Sequence, residues 1–130
     1  MSINPVDRFQ GKVAQLLIRN QNVFDILTKC QLSCGKICRS TVKASTGCGC
    51  VSMDAPKTEM DFEKNTYSKL HEKSGISGEL CHNCKSSIEG EIGETLFYLA
   101  SLCNALGISM DKIMAAELKR VEALGKYNLR

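Results

Sequence analysis

Apolar residues recur at helical spacing along most of this chain, and the recurrence predicts four helices. The first runs from Asp7 to about Arg19, with Phe9, Val13, Leu16 and Leu17 on one face and Pro5 at its entry. The second runs from about Gln21 to Ala44. Its stripe is Val23, Ile26, Leu27, Cys30, Cys34, Ile37 and Thr41, with Cys38 at the edge. The third begins at Cys81 or Cys84 and turns Ile88, Ile92, Leu96, Leu99, Cys103 and Leu106 inward. Gly107 stops it, as a residue that tolerates positive φ does. Ser109 then caps a fourth helix, with Met110, Ile113, Met114, Leu118, Val121 and Leu124 inward and Gly125 at its end.

Between the second and third helices the pattern collapses. From about 45 to 78 polar residues dominate, and Gly47, Gly49, Pro56, Gly75 and Gly78 punctuate the chain. A connection of this length is unusual inside a compact domain and is commonly functional. A short helical turn is expected within residues 61–70. No repeat or low-complexity tract interrupts the pattern. The expectation is therefore a single all-α domain over residues 1–130, with one long loop at about 45–78.

Composition narrows the class. The chain has 130 residues, 43% of them hydrophobic and 24% charged, which suits one ordered globular domain. The formal net charge of +3 is not gathered into a Lys/Arg block, and no basic patch with interleaved aromatics argues for nucleic-acid binding. No stretch reaches the roughly 20 apolar residues that a membrane span needs. The N-terminus MSINPVDRFQGKVAQLL lacks the pattern of a secretory signal. A cytoplasmic location is expected, where thiols stay reduced and eight cysteines call for burial, metal binding or redox chemistry.

The cysteines divide by context. Cys30, Cys34, Cys38 and Cys103 fall in or beside apolar stripes, where a free thiol behaves as a small hydrophobe. Cys48 and Cys50 form a C-x-C pair between Gly47 and Gly49, whose glycines let the backbone fold both sulfurs inward. Cys81 and Cys84 form a C-x-x-C knuckle at a helix start, a location that favours the thiolate. Two such pairs supply the four soft ligands of a closed tetrahedral site, for which zinc is the expected metal. A closed site would staple the loop rather than perform chemistry. Structural zinc in small peptides contributes about 10–16 kcal/mol at neutral pH, of which a fraction would order this connection. An iron–sulfur cluster, a regulatory disulfide within C-x-x-C, and four unmetallated thiols are the competing readings. His82 inside the knuckle reads as a polar surface residue, and His71 has no evident partner.

The segment EGEIGETLFYLASLCNALGIS resembles the second acidic helix of MazG-like nucleoside triphosphate pyrophosphohydrolases, which carries an E-x-x-D motif and an apolar run ending in a similar turn. Glu91 and Glu94 fall on that motif. In the family they help hold Mg²⁺, a hard cation suited to oxygen ligands. The resemblance extends to LSCGKICRST in the second helix, where Gly35 and Arg39 keep the register but Leu32, Ser33 and Lys36 stand in the three glutamate places. Losing those acids should abolish family-type Mg²⁺ binding. Lys29, Lys36 and Lys43 share one helix flank, and if the fold is kept Lys36 pairs with Glu91 and Glu94; the alternative is two separate solvated flanks. The whole chain is closer to a group of small bacterial proteins with this C-x-C…C-x-x-C layout, for which the resemblance implies no activity.

What the resemblance implies is a MazG-like antiparallel bundle, degenerate in its acids, that forms a homodimer. The leading functional expectation is a non-catalytic, zinc-stapled helical module acting in protein association or sensing, with an unknown protein partner. The alternative is a divergent Mg-dependent pyrophosphohydrolase in which Glu91 and Glu94 hold the metal and Lys36 contacts phosphate. A third reading, a redox or metal sensor, uses Cys81 and Cys84.

Overall fold

The computed structural model describes residues 4–16, 22–54 and 74–125. Four α-helices carry the architecture: α1 (Pro5–Leu16), α2 (Val23–Lys43), α3 (His82–Leu106) and α4 (Met110–Leu124). The all-α class follows. The helical turn expected within 61–70, the end of the first helix beyond Leu16, and His71 lie outside the described residues.

The helix ends obey local chemistry. Asn22 caps α2, its side chain accepting from the Phe24 N–H, and Ser109 caps α4 by accepting from the Lys112 N–H at 3.2 Å. Gly107 adopts φ 69° at the end of α3, where a Cβ would be strained. The turn that follows is clamped from a distance. The Gln10 amide donates to Asn104 Oδ1 at 3.0 Å and to the Ile108 carbonyl at 2.8 Å. Its oxygen accepts from the Met110 N–H at 2.8 Å. One side chain of α1 thus fixes the angle between α3 and α4.

The described parts of the expected long loop at 45–78, residues 45–54 and 74–78, carry regular structure. Residues Ala44–Cys48 continue α2 as one π-helical turn. Two short strands, β1 (Val51–Met53) and β2 (Ile76–Gly78), then pair antiparallel, with Val51 opposite Gly78 and Met53 opposite Ile76. Asp54 N–H extends the ladder to the Gly75 carbonyl at 2.7 Å. The hairpin closes the connection at its base, so α2 and α3 run antiparallel with their sulfur-bearing ends together.

Packing corrects the expected inward faces. The seam around α2 and α3 encloses Ile26, Ser33, Ala44, Thr95, Ala100, Ser101 and Cys103. The three hydroxyls are buried at little cost because each donates to a carbonyl of its own helix: Ser33 to Cys30, Thr95 to Glu91, Ser101 to Phe97. Small side chains let the backbones approach. The larger residues expected inside stay half-exposed: Ile92, Leu96, Leu99 and Leu106 on α3, and Ile113, Met114, Leu118, Val121 and Leu124 on α4, which buries nothing. Cys34 and Cys38 are exposed, against the expectation of core thiols, while Cys103 is buried and Cys30 half-buried. Burial raises the Cys103 thiol above its ordinary range, and burial followed by the neighbouring Cys34 does the same for Cys30. No single described helix is long and apolar enough to cross a membrane.

Gly78 tests the hairpin. It has φ 94°, and a Cβ there would lie 2.9 Å from the Cys50 carbonyl oxygen. Gly78→Ala is expected to cost about 1–3 kcal/mol in chemical denaturation. Gly90→Ala, a helical site with open space around it, is expected to gain about 0.5–1 kcal/mol. Equal stability of the two variants would contradict the described hairpin.

Candidate metal centre

The four sulfurs are brought together by three local devices. The first is the π-turn. The Gly49 N–H reaches back five residues to the Ala44 carbonyl at 2.9 Å, and Gly49 takes φ 82°, so the chain reverses directly after Cys48. The second is the burial of Ala44 and Val51 on either side of the reversal, which fixes where Cys50 emerges. The Cys50 thiol donates to the Ala44 carbonyl at 3.7 Å. The third is the N-cap of α3. Cys81 occupies it with φ −67° and ψ 163°, and its sulfur accepts from the Cys84 N–H at 3.4 Å. A cysteine thus fills the place usually taken by serine or aspartate.

The result is a compact group. One sulfur from each of Cys48, Cys50, Cys81 and Cys84 lies within 4.8 Å of the others. Cys48 Sγ and Cys81 Sγ are 3.8 Å apart. Cys48 is exposed and the other three are half-buried, and all eight cysteines of the chain are free thiols. A cleft lined by Ser40, Lys43, Gly47, Cys48, Asn83 and Cys84 adjoins the group and sets the Lys43 cation on the same surface.

No family model, curated protein or solved structure matches the chain. Its chemistry is therefore read from these side chains. The four cysteines could hold one metal ion. Their electrostatics is uneven. The Cys81 thiol is lowered to about 7, chiefly by the hydrogen bond from the Cys84 backbone and then by the Cys84 side chain. Cys84 is pushed up to about 12, first by the Cys81 side chain and then by desolvation. Cys48 sits above the ordinary thiol range: its largest influence, the Cys50 backbone, lowers it, but the neighbouring Cys81 side chain, the Cys50 side chain and desolvation outweigh that. The polarity of the helix start thus concentrates negative charge on the capping sulfur.

The acidic pair expected on α3 is resolved too. Lys36 Nζ lies 3.5 Å from Glu94 Oε1. Glu91 is not in that pair. Its Oε2 is buried and without a hydrogen-bond partner among the described residues. Lys36 and Glu94 are both well exposed, so the pair is worth about 0.2–1 kcal/mol. Ser33 is buried in the seam, and Leu32 is half-exposed. His82 is exposed and outside the group of close sulfurs.

The cysteine pattern alone singled out the four residues that the fold brings together. Nothing in it revealed that Cys81 is also a helix cap. A cysteine three residues ahead of a backbone N–H at a helix start was the available signal. In the chain free of metal Cys81 is expected to alkylate first with iodoacetamide, half-maximally near pH 7, and Cys84 last. Below pH 7 Cys81 gains its proton and the preference should fade. A uniform rate across the four thiols, followed by peptide mapping, would contradict this electrostatic asymmetry.

Proposed function

We propose that the chain is a non-catalytic helical module whose Cys48, Cys50, Cys81 and Cys84 hold one zinc ion as a structural staple. The observation that carries the reading is the sulfur spacing. Four sulfurs at about 2.3 Å from one zinc sit at the corners of a tetrahedron whose edge is about 3.8 Å, and Cys48 Sγ to Cys81 Sγ is 3.8 Å. An iron–sulfur cluster places its own irons and sulfides between the cysteines and holds them farther apart. Four thiolates on a dication leave a net negative charge, and Lys43 beside the cleft offsets part of it. The ligands complete the coordination shell, which favours a structural role over catalysis. The Lys36–Glu94 contact supports the same reading, because a cation already occupies one of the two carboxylates that Mg²⁺ would need in a pyrophosphohydrolase.

Elemental analysis of the purified protein is expected to give about one zinc per chain. Cys48→Ser/Cys81→Ser should abolish it. Serine preserves the cap of α3, so lost stability in that variant reports the metal rather than the helix start. Protein free of metal after purification and zinc reconstitution would overturn the reading.

The module associates with a second copy of itself through the apolar face of α3 and α4. Leu96, Met110 and Met114 line one continuous groove there with Phe9 of α1. The exposed large apolar residues of this face are 39–59% accessible, and a second copy would cover them in an interface of roughly 800 Å² per partner. Sedimentation is expected to show a dimer, and Leu96→Glu/Met114→Glu to shift it to monomer. A wild-type monomer at micromolar concentration would refute this part.

A further inference from the structure

The sulfur cluster has a second chemical capacity, which its staple role leaves unused. We propose that it is also a redox-modification site: a hydroperoxide joins Cys48 to Cys81 as a disulfide and thereby expels the metal. The metal half of this statement rests on the zinc-holding reading above. The disulfide half does not.

Three observations point to this pair. The Cys48 and Cys81 sulfurs are in contact at 3.8 Å. A disulfide needs about 2.05 Å, so the gap to close is about 1.8 Å. Cys48 is the exposed member of the four. It stands between Gly47 and Gly49, and the space beside Gly49 is empty to 4 Å, so the turn has room to shift. Cys81 is held from the other side by the Cys84 N–H, which orients its sulfur toward the cluster. An oxidant arriving from solvent therefore meets one anchored sulfur and one movable sulfur.

The step balances as a two-electron oxidation. The Cys81 thiolate attacks the distal oxygen of the hydroperoxide; an S–O bond forms, the O–O bond breaks, and the alkoxide or hydroxide leaves with a proton as alcohol or water. Cys48 then attacks the sulfur of this sulfenic acid. The S–S bond forms, the S–O bond breaks, and hydroxide leaves as water. Two thiols and one hydroperoxide become one disulfide, one alcohol or water from the peroxide, and one further water. Two of the four metal ligands are consumed, so the remaining pair no longer closes a tetrahedral site. The end of α2 and the start of α3 stay tied, now by a covalent bond. The module would exchange its staple without separating its helices.

Hydrogen peroxide added to the zinc-loaded full chain tests this. A colorimetric chelator reads released zinc, and tryptic peptides 44–57 and 74–85 are examined under non-reducing conditions. Zinc release is expected together with a disulfide joining the two peptides. Circular dichroism should retain the helical signal, and dithiothreitol with zinc should reverse both changes. In metal-free protein, Cys50→Ser/Cys84→Ser should still form the cross-link and Cys48→Ser should not. A disulfide confined to peptide 74–85, which means Cys81 to Cys84, overturns the proposal, as does zinc retained with no cross-link. Cross-linking in a chain that never binds zinc would leave the disulfide standing and remove the zinc staple.

Discussion

The seam between α2 and α3 is made of small side chains, and most else in the molecule follows from that. Ile26 is the one large side chain among the described residues that is completely enclosed; Ser33 and Ser101 are its equals in burial but not in bulk. Each large apolar side chain moved from water into a core contributes about 1.5–3 kcal/mol. A seam of serine, threonine and alanine forgoes most of that and gains close backbone approach instead. Closure then has to come from the ends. At one end Gln10 grips the α3–α4 turn with three hydrogen bonds. At the other the π-turn, the hairpin and four sulfurs converge.

The two ends differ in kind. Gln10 satisfies backbone groups that the turn would otherwise leave to water, which is an ordinary use of an amide. The sulfur end has no such self-sufficiency. Four thiols within 4.8 Å gain little from one another. A shared soft cation would change that, because thiolates that repel one another would become its ligands. The distribution of charge among them follows from the helix start. Cys81 sits where backbone N–H groups point outward, so its sulfur carries charge most readily.

How much of this the residue pattern disclosed depends on whether the cause was local. The four helices, the Ser109 cap and the Gly107 stop follow from neighbours in sequence, and all were legible. So was the grouping of Cys48 and Cys50 with Cys81 and Cys84, because paired cysteines have few other uses. The hairpin was not. Val51–Met53 and Ile76–Gly78 are three residues each, too short for an alternating pattern to show. Their pairing depends on Gly78 fitting against the Cys50 carbonyl, which no hydropathy pattern encodes. The inward faces were misjudged for a related reason. Ile92, Leu96 and Leu118 announce an apolar face, but the face that packs within the chain is lined by Ser33, Thr95 and Ser101, which carry no hydrophobic signal. The flank of Lys36 was readable on a helical wheel; which glutamate it meets was set by the register of two distant helices.

The ladder from Val51–Gly78 to Asp54–Gly75 joins the two sides of the connection before the chain leaves for residues 55–73. Among the described residues, everything that organises the sulfurs lies on the near side of that seal. In design terms the ladder is a clasp: its own hydrogen bonds hold the end of α2 and the start of α3 at one separation, and the four sulfurs inherit that separation.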